Sequence, residues 1–225
     1  THLSAGSFYN ISGAMGALED QLNAVAGSYQ PLMLLGEAGT AKEQIARAVY
    51  LRSPRTRSPF VTVDCTVASD REWDFLFDHY ASPLNEREGT VFFRHAEEMP
   101  DHSCSRLLAI TMETNLVKRI RLIFSYDWTE EEVMPDKARR IISRLGCFCL
   151  QLPALRSRSD EISSLAGLCL NVINQELGKQ LVGFEPRAME QLRSYHWPNN
   201  FTQFKKVLLA LATITDTSYI RSGDV

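Results

Sequence analysis

The sequence predicts a parallel α/β domain followed by a small α-helical subdomain. Three observations point to it. Strand-like and helix-like apolar patterns alternate up to Pro153, as a parallel sheet with crossover helices requires. Within that stretch, residues 31–50 read PLMLLGEAGTAKEQIARAVY, so a buried strand runs into a glycine-bearing loop that opens a helix. Beyond Pro153 only helical patterns follow. The expected organisation is therefore an α/β subdomain over 1–155 and a helical subdomain over 156–225.

Each element has its own signal. Residues 8–13 read as an opening loop, and Met15, Leu18, Leu22 and Val25 recur at helical spacing over 14–26. Residues 32–35 form the first buried strand and 42–51 its helix. Pro54, Arg55 and Arg57 make 53–58 a basic turn. Strict alternation marks a strand over 60–64, and Trp73, Leu76, Phe77 and Tyr80 mark a helix over 70–80. A third strand is expected over 90–93, a helix over 103–113, a fourth strand over 119–125, a helix over 130–145 despite Pro135, and a fifth strand over 147–152. Three helices then follow, over 160–177, 186–195 and 201–214, the last after a Trp197-Pro198-Asn199-Asn200 turn.

Composition narrows the class. At 225 residues the chain can bury one sizeable core, or a core and a satellite. Its 44% hydrophobic and 23% charged residues are those of an ordinary globular protein. A net charge of −3 excludes a nucleic-acid surface over the whole chain and leaves only local basic patches. Cys65, Cys104, Cys147, Cys149 and Cys169 are scattered without a C-x-x-C, which fits buried thiols in a reducing cytosol better than disulfides or zinc. Cys147 and Cys149 are expected to pack together on the core face of their strand. The longest apolar run, 207–214, is too short to span a bilayer, and no charged-then-apolar leader begins the sequence. A cytoplasmic protein with no membrane partner is expected.

The chemistry starts at the loop. Gly36, Gly39 and Lys42 have the spacing of a phosphate-binding loop, so Gly36, Glu37, Ala38, Gly39, Thr40, Ala41, Lys42 and Glu43 are the candidate nucleotide site. Backbone N–H groups would cradle an anion there, and Lys42 would add a point charge. Ala41 stands where a second glycine is usual, and its methyl crowds the loop. Glu43 stands where a hydroxyl usually holds magnesium.

Several segments carry a family resemblance in the right order. GEAGTAKEQIARAVY resembles the Walker A region of NtrC-type bacterial enhancer-binding proteins, the AAA+ activators of sigma-54 RNA polymerase. SPFVTVDC looks like their second strand, LPALRSRSDEI is similar to the segment that leads into their lid, and ELGK through HWPNN resembles the lid itself. The resemblance implies an AAA+ P-loop fold with a five-stranded parallel sheet and a helical lid. It also implies assembly as a homodimer or higher homo-oligomer, action on RNA polymerase, and DNA binding through a C-terminal helix-turn-helix absent from this chain.

The departures from that family shape the functional expectation. The family's third strand ends in Asp-Glu, which organises magnesium and the attacking water; here Arg94 and His95 stand at those positions. Two cations, Lys42 and Arg94, close together in a poorly solvated pocket would repel by several kcal/mol at an effective dielectric of about 20. Glu97 and Glu98 are expected on the surface. The family's sigma-54 contact loop should precede Gly89, where this chain has only YASPLNERE. Of the two arginines that reach a neighbouring subunit, the first falls on Ala138 and the second survives as Arg144. The asparagine-type sensor falls on Asp127 or Tyr126, and the lid arginine on Thr202.

Hydrolysis is therefore expected to be negligible, with no catalytic residue and no metal required. A positive pocket of Lys42 and Arg94, with Arg47, Arg52, Arg55 and Arg57 beyond it, could take an anionic ligand. Arg47, Arg94 and His95 are the candidate ligand-binding residues, and Arg144 the candidate interface arginine. The shared absences resemble a degenerate subgroup of the family that includes the Vibrio biofilm regulator VpsR. That resemblance implies cyclic di-GMP as the ligand, ATP being possible, and action without sigma-54. Two readings stand beside it: a residual ATPase that remodels polymerase, and a ligand-free oligomerisation domain.

Overall fold

The computed structural model describes residues 16–225 except Arg55. The opening loop expected over 8–13 and the first two residues of the first helix lie outside the described residues. Two compact units emerge, one of Asp20–Gly36 with Lys42–Leu152, the other of Glu37–Ala41 with Pro153–Val225 and residues 16–19.

The first unit holds a five-stranded parallel sheet in the order β2-β3-β4-β1-β5. Its strands are β1 (Leu32–Gly36), β2 (Phe60–Asp64), β3 (Gly89–Arg94), β4 (Ile120–Asp127) and β5 (Phe148–Gln151). Its helices are α1 (Gly16–Gly27) from Asp20 onward, α2 (Lys42–Arg52), α3 (Asp70–Asp78), α4 (Asp101–Thr114) and α5 (Asp136–Leu145). Strands β1, β3 and β4 are buried almost throughout, which is why LMLL, VFF and LIF read as apolar runs within them. Met33, Leu35, Val91, Phe93, Leu122 and Phe124 pack with Trp73 and Leu76 of α3, Leu107 of α4 and Ile141 of α5. Phe93 and Phe124 stack at 5.1 Å between centroids. Arg121, a buried cation on β4, donates to the carbonyls of Val25 (2.6 Å) and Ala26 (3.4 Å), so it closes the C-terminal end of α1 where a positive charge is favoured.

Helix α3 begins with a reciprocal capping box, Ser69 with Glu72. Helix α5 starts at Asp136, six residues later than the apolar spacing predicts, because Pro135 holds the residue before it extended and can stand only at a helix start. Cys147, just before β5, packs against the core while Cys149 on β5 is exposed, so the two thiols do not share a buried face. The strand lies at the sheet edge, which leaves part of its surface open.

The second unit contains α6 (Ile162–Leu177), α7 (Pro186–Ser194) and α8 (Asn200–Ile214). Residues 160–161, expected within α6, belong to a preceding 3-10 turn, Leu155–Glu161, where Arg158 and Glu161 form a buried ion pair. Two short strands absent from the sequence reading, β6 (Gly183–Phe184) and β7 (Tyr219–Ile220), pair in parallel. Trp197 is the centre of this core: its indole N–H donates to the Leu192 carbonyl at 2.8 Å and its ring meets Phe204 edge-on at 5.0 Å. The Lys179 ammonium donates to the carbonyls of Ala212 (2.6 Å), Thr213 (2.7 Å) and Thr215 (3.0 Å), capping the end of α8. Among the described residues no helix is long and apolar enough to cross a membrane.

Candidate nucleotide site

The loop from β1 to α2 has the backbone of an anion cradle. Gly36, Gly39 and Ala41 all carry positive φ, at 152°, 78° and 66°. The left-handed conformation at Ala41 is the reason a glycine is usual there, and an L-residue bears it at a cost of about 1–2 kcal/mol. At Gly39 the space is closed as well: a Cβ would lie 2.0 Å from the Asn199 carbonyl oxygen.

Within the C-terminal unit, Glu37 is bound bidentately by Arg156, with Nη1 to Oε2 at 2.6 Å and the second contact from Nη2 to Oε1. Asn200, fully buried in left-handed backbone, donates from Nδ2 to the Ala38 carbonyl at 2.9 Å and to Glu37 Oε2 at 3.2 Å. Its Oδ1 accepts the Leu155 N–H at 2.7 Å. The Arg156 hydrogen bond outweighs burial and holds the Glu37 carboxyl below the usual carboxylate range, helped by Asn200. Thr202, where the family would place a lid arginine, donates only its backbone N–H to the Gly39 carbonyl, at 3.4 Å. The sequence reading gave Arg156 and Asn200 no role; their position beside Pro153 and inside the Trp-Pro turn was the available signal.

Within the sheet unit, Lys42 is 7% exposed and its ammonium lies 2.7 Å from Asp127 Oδ1. Asp127 stands at the C-terminal end of β4, in register with Gly36 of β1. At the end of β3, Arg94 Nη1 meets Asp64 Oδ2 at 3.3 Å, and its Nε lies 3.8 Å from Glu43 Oε2. Burial raises the Asp64 carboxyl, but hydrogen bonds from Thr66 and the charge of Arg94 overcome it and leave it below its ordinary value. Arg47 bonds Glu43 Oε1 at 3.3 Å and lies over the Phe60 ring at 5.4 Å.

These contacts correct the expectation of a positive pocket. Lys42, Arg47 and Arg94 are set against Asp127, Glu43 and Asp64, so each cation is already compensated. Parallel pairing explains the change, since it places Asp64 directly opposite Arg94. Of the outer arginines, Arg52 hydrogen-bonds Asn23, Arg57 is exposed, and Arg55 lies outside the described residues.

Glu97 also departs from its surface assignment. His95 takes left-handed backbone (φ 55°), its N–H donates to Ser125 Oγ at 2.9 Å, and its Nδ1 lies 2.9 Å from Glu97 Oε1. Glu97 Oε2 accepts the Asp127 N–H at 3.1 Å. His95, Glu97 and Asp127 therefore form one cluster, whereas Glu98 is exposed as expected.

The remaining candidates are separate from this cluster. Arg144 is exposed in the last turn of α5. Ala138, in the place of the missing interface arginine, is fully buried in the core. Residues 80–88 form a short turned connection in which Pro83–Asn85 makes one 3-10 turn and Leu84 is buried.

Fold and site together define a P-loop AAA+ domain. Residues 8–76 match the Sigma-54 interaction domain and residues 156–225 the AAA+ ATPase lid domain, which places the chain with the sigma-54 interaction AAA+ domains of NtrC-type regulators. It is 28% identical to the anaerobic nitric oxide reductase transcription regulator NorR of Aeromonas salmonicida (strain A449), over 90% of this chain and 45% of that protein. It is 30% identical to the Nif-specific regulatory protein of Enterobacter agglomerans, over 93% of this chain and 45% of that protein. The chain thus spans about half the length of the curated relatives it matches. NtrX from Brucella abortus, solved in complex with ADP, shares the fold with a TM-score of 0.81 at 24% identity, over 95% of this chain and 54% of that one.

Proposed function

We propose that this chain is a non-hydrolysing, nucleotide-binding AAA+ domain of a bacterial transcription regulator, which sets oligomeric state for transcription activation. The observation that carries the reading is Arg94 at the end of β3, held by Asp64 and Glu43. In the family a carboxylate there organises magnesium for hydrolysis. An arginine held by two carboxylates cannot replace it, and Glu43, itself able to bind a cation, is engaged by Arg47 and Arg94. Phosphoryl transfer depends on positioned charge, and Ala138 and Thr202 supply none.

Nucleotide binding is supported by the positive-φ backbone of the loop and by Lys42 at its end. The NtrX structures contain ADP or ATP, which supports the same reading by likeness of fold. Action without sigma-54 is supported by the short connection over 80–88, where the family's contact loop would stand. Cyclic di-GMP rests on the resemblance to the VpsR-like subgroup; the compensated charges of Arg47 and Arg94 weaken its electrostatic basis.

A thermal-shift panel of ATP, ADP, GTP and cyclic di-GMP, with and without magnesium, tests the reading. Stabilisation by at least one nucleotide, lost in Lys42→Ala, is expected. No shift with any of them would leave an oligomerisation domain without a ligand.

A further inference from the structure

Arg94 stands where the family has a metal-organising carboxylate and cannot hold a cation, yet a donor set that includes the neighbouring His95 lies close by. We infer that His95, Glu97 and Asp127 bind a divalent first-row transition ion, independently of any nucleotide. One imidazole nitrogen and two carboxylate oxygens lie within 4.8 Å of one another. His95 Nδ1 and Glu97 Oε1 are 2.9 Å apart, which is close to the spacing of adjacent ligands around an ion with bonds of about 2.1 Å. His95 Nδ1 and Asp127 Oδ2 are 3.8 Å apart, a gap that a small turn of either side chain closes.

The two oxygens of Asp127 divide the work. Oδ1 meets the Lys42 ammonium, while Oδ2 faces His95 and remains available to an ion. The second oxygen of Glu97 is fixed by the Asp127 N–H, so both carboxylates are oriented before metal arrives. The segment is also anchored: the Lys137 ammonium donates to the carbonyls of Glu97 (2.8 Å) and Met99 (2.7 Å), and Ser125 holds the His95 N–H. The chemistry selects the class of ion. An imidazole beside two carboxylates suits zinc through its nitrogen, and manganese through its oxygens, better than magnesium, which keeps most of its waters. The nearby Lys42 charge, paired with Asp127, lowers the affinity of the site.

The test is calorimetric titration of Mn2+ and Zn2+ into the whole chain without nucleotide, with free Mn2+ followed in parallel by electron paramagnetic resonance. One ion per chain is expected. His95→Ala and Glu97→Gln should each weaken binding about tenfold or more, while Glu98→Gln leaves it unchanged. Circular dichroism establishes that each variant is folded, and His95→Gln replaces His95→Ala if that variant is not. No binding at millimolar metal, or affinity unchanged in folded His95 and Glu97 variants, would overturn the assignment. Because nucleotide is absent, failure here leaves the proposed nucleotide site untouched.

Discussion

Lys42 and Asp127 form an ion pair of 2.7 Å, so the cation meant for a phosphate is held by a carboxylate of its own sheet. A nucleotide phosphate must compete with Asp127 for Lys42. Asp127→Asn should relieve that competition and tighten ATP binding about tenfold, since a charge-assisted hydrogen bond contributes roughly 1.5–3 kcal/mol. Calorimetry on the two proteins measures it. Weaker ATP binding in Asp127→Asn would mean that Asp127 helps to hold the nucleotide.

Arg94→Asp with His95→Glu restores the family's carboxylates in name only. Parallel pairing would set the new Asp directly against Asp64, with Glu43 close by, and like charges at that spacing repel. The double variant should melt at lower temperature and show no family-level turnover, because Ala138, buried in the core, and Thr202, exposed, still supply no charge. Full recovery of phosphate release would show that those two positions matter less than the β3 carboxylates.

The two left-handed loop positions, Gly39 and Ala41, should respond in opposite directions. Gly39→Ala places a methyl 2.0 Å from the Asn199 oxygen and is expected to destabilise strongly. Ala41→Gly removes about 1–2 kcal/mol of left-handed strain but gains unfolded-state entropy of about 0.4–1 kcal/mol. A net rise in melting temperature of about 1–3 °C follows for a chain of this size. Differential scanning calorimetry separates the two.

Acid should weaken the Glu37–Arg156 clamp. The folded Glu37 carboxyl lies below its ordinary value, so the stability it contributes is fully present above about pH 4.3, the unfolded value, and is lost as pH falls through the folded one. Asp64 adds a loss of the same sign, from its own ordinary value near 3.9 downward. Melting temperature should therefore fall below about pH 4.3, and Arg156→Ala should flatten part of that slope. An equal slope in the variant would mean that the clamp contributes nothing measurable.

Thiol reactivity checks the burial pattern. Burial raises all five thiols, Cys65 and Cys147 to about 12 and Cys169 to about 11, so access rather than ionisation sets their relative reactivity. Cys149 is exposed on edge strand β5. A disulfide reagent should label Cys149 first in the folded protein, and Cys149→Ser should remove the fast phase.

The fold was legible because the three central strands, β3, β4 and β1, are buried almost throughout, while β2 shows its own alternation. LMLL and VFF can only be interior strands, and the alternation with helical patterns dictates parallel pairing. The start of α5 was misread because residues 130–134 fit a helical spacing while Pro135 decides the boundary. β6 and β7 are two residues each, too short for any periodic signal. The site was half legible. The Gly36-to-Lys42 spacing named the loop, but local spacing cannot pair Lys42 with Asp127 or Arg94 with Asp64, because those contacts come from sheet register. Arg94 looked like added positive charge for the same reason. Glu97 looked like a surface residue because the left-handed turn at His95, which carries it toward Asp127, has no signature in an ordinary His-Ala-Glu run.

This domain should hold ATP without consuming it. Steady-state phosphate release at high protein concentration, with magnesium and separately with manganese and with saturation by ATP shown in the same sample by thermal shift, is the most direct test. The expected result is a nucleotide-dependent shift that Lys42→Ala abolishes, with phosphate release at the level of the Lys42→Ala control. Release well above that control, and lost with Lys42, would contradict it and make this domain an ATPase.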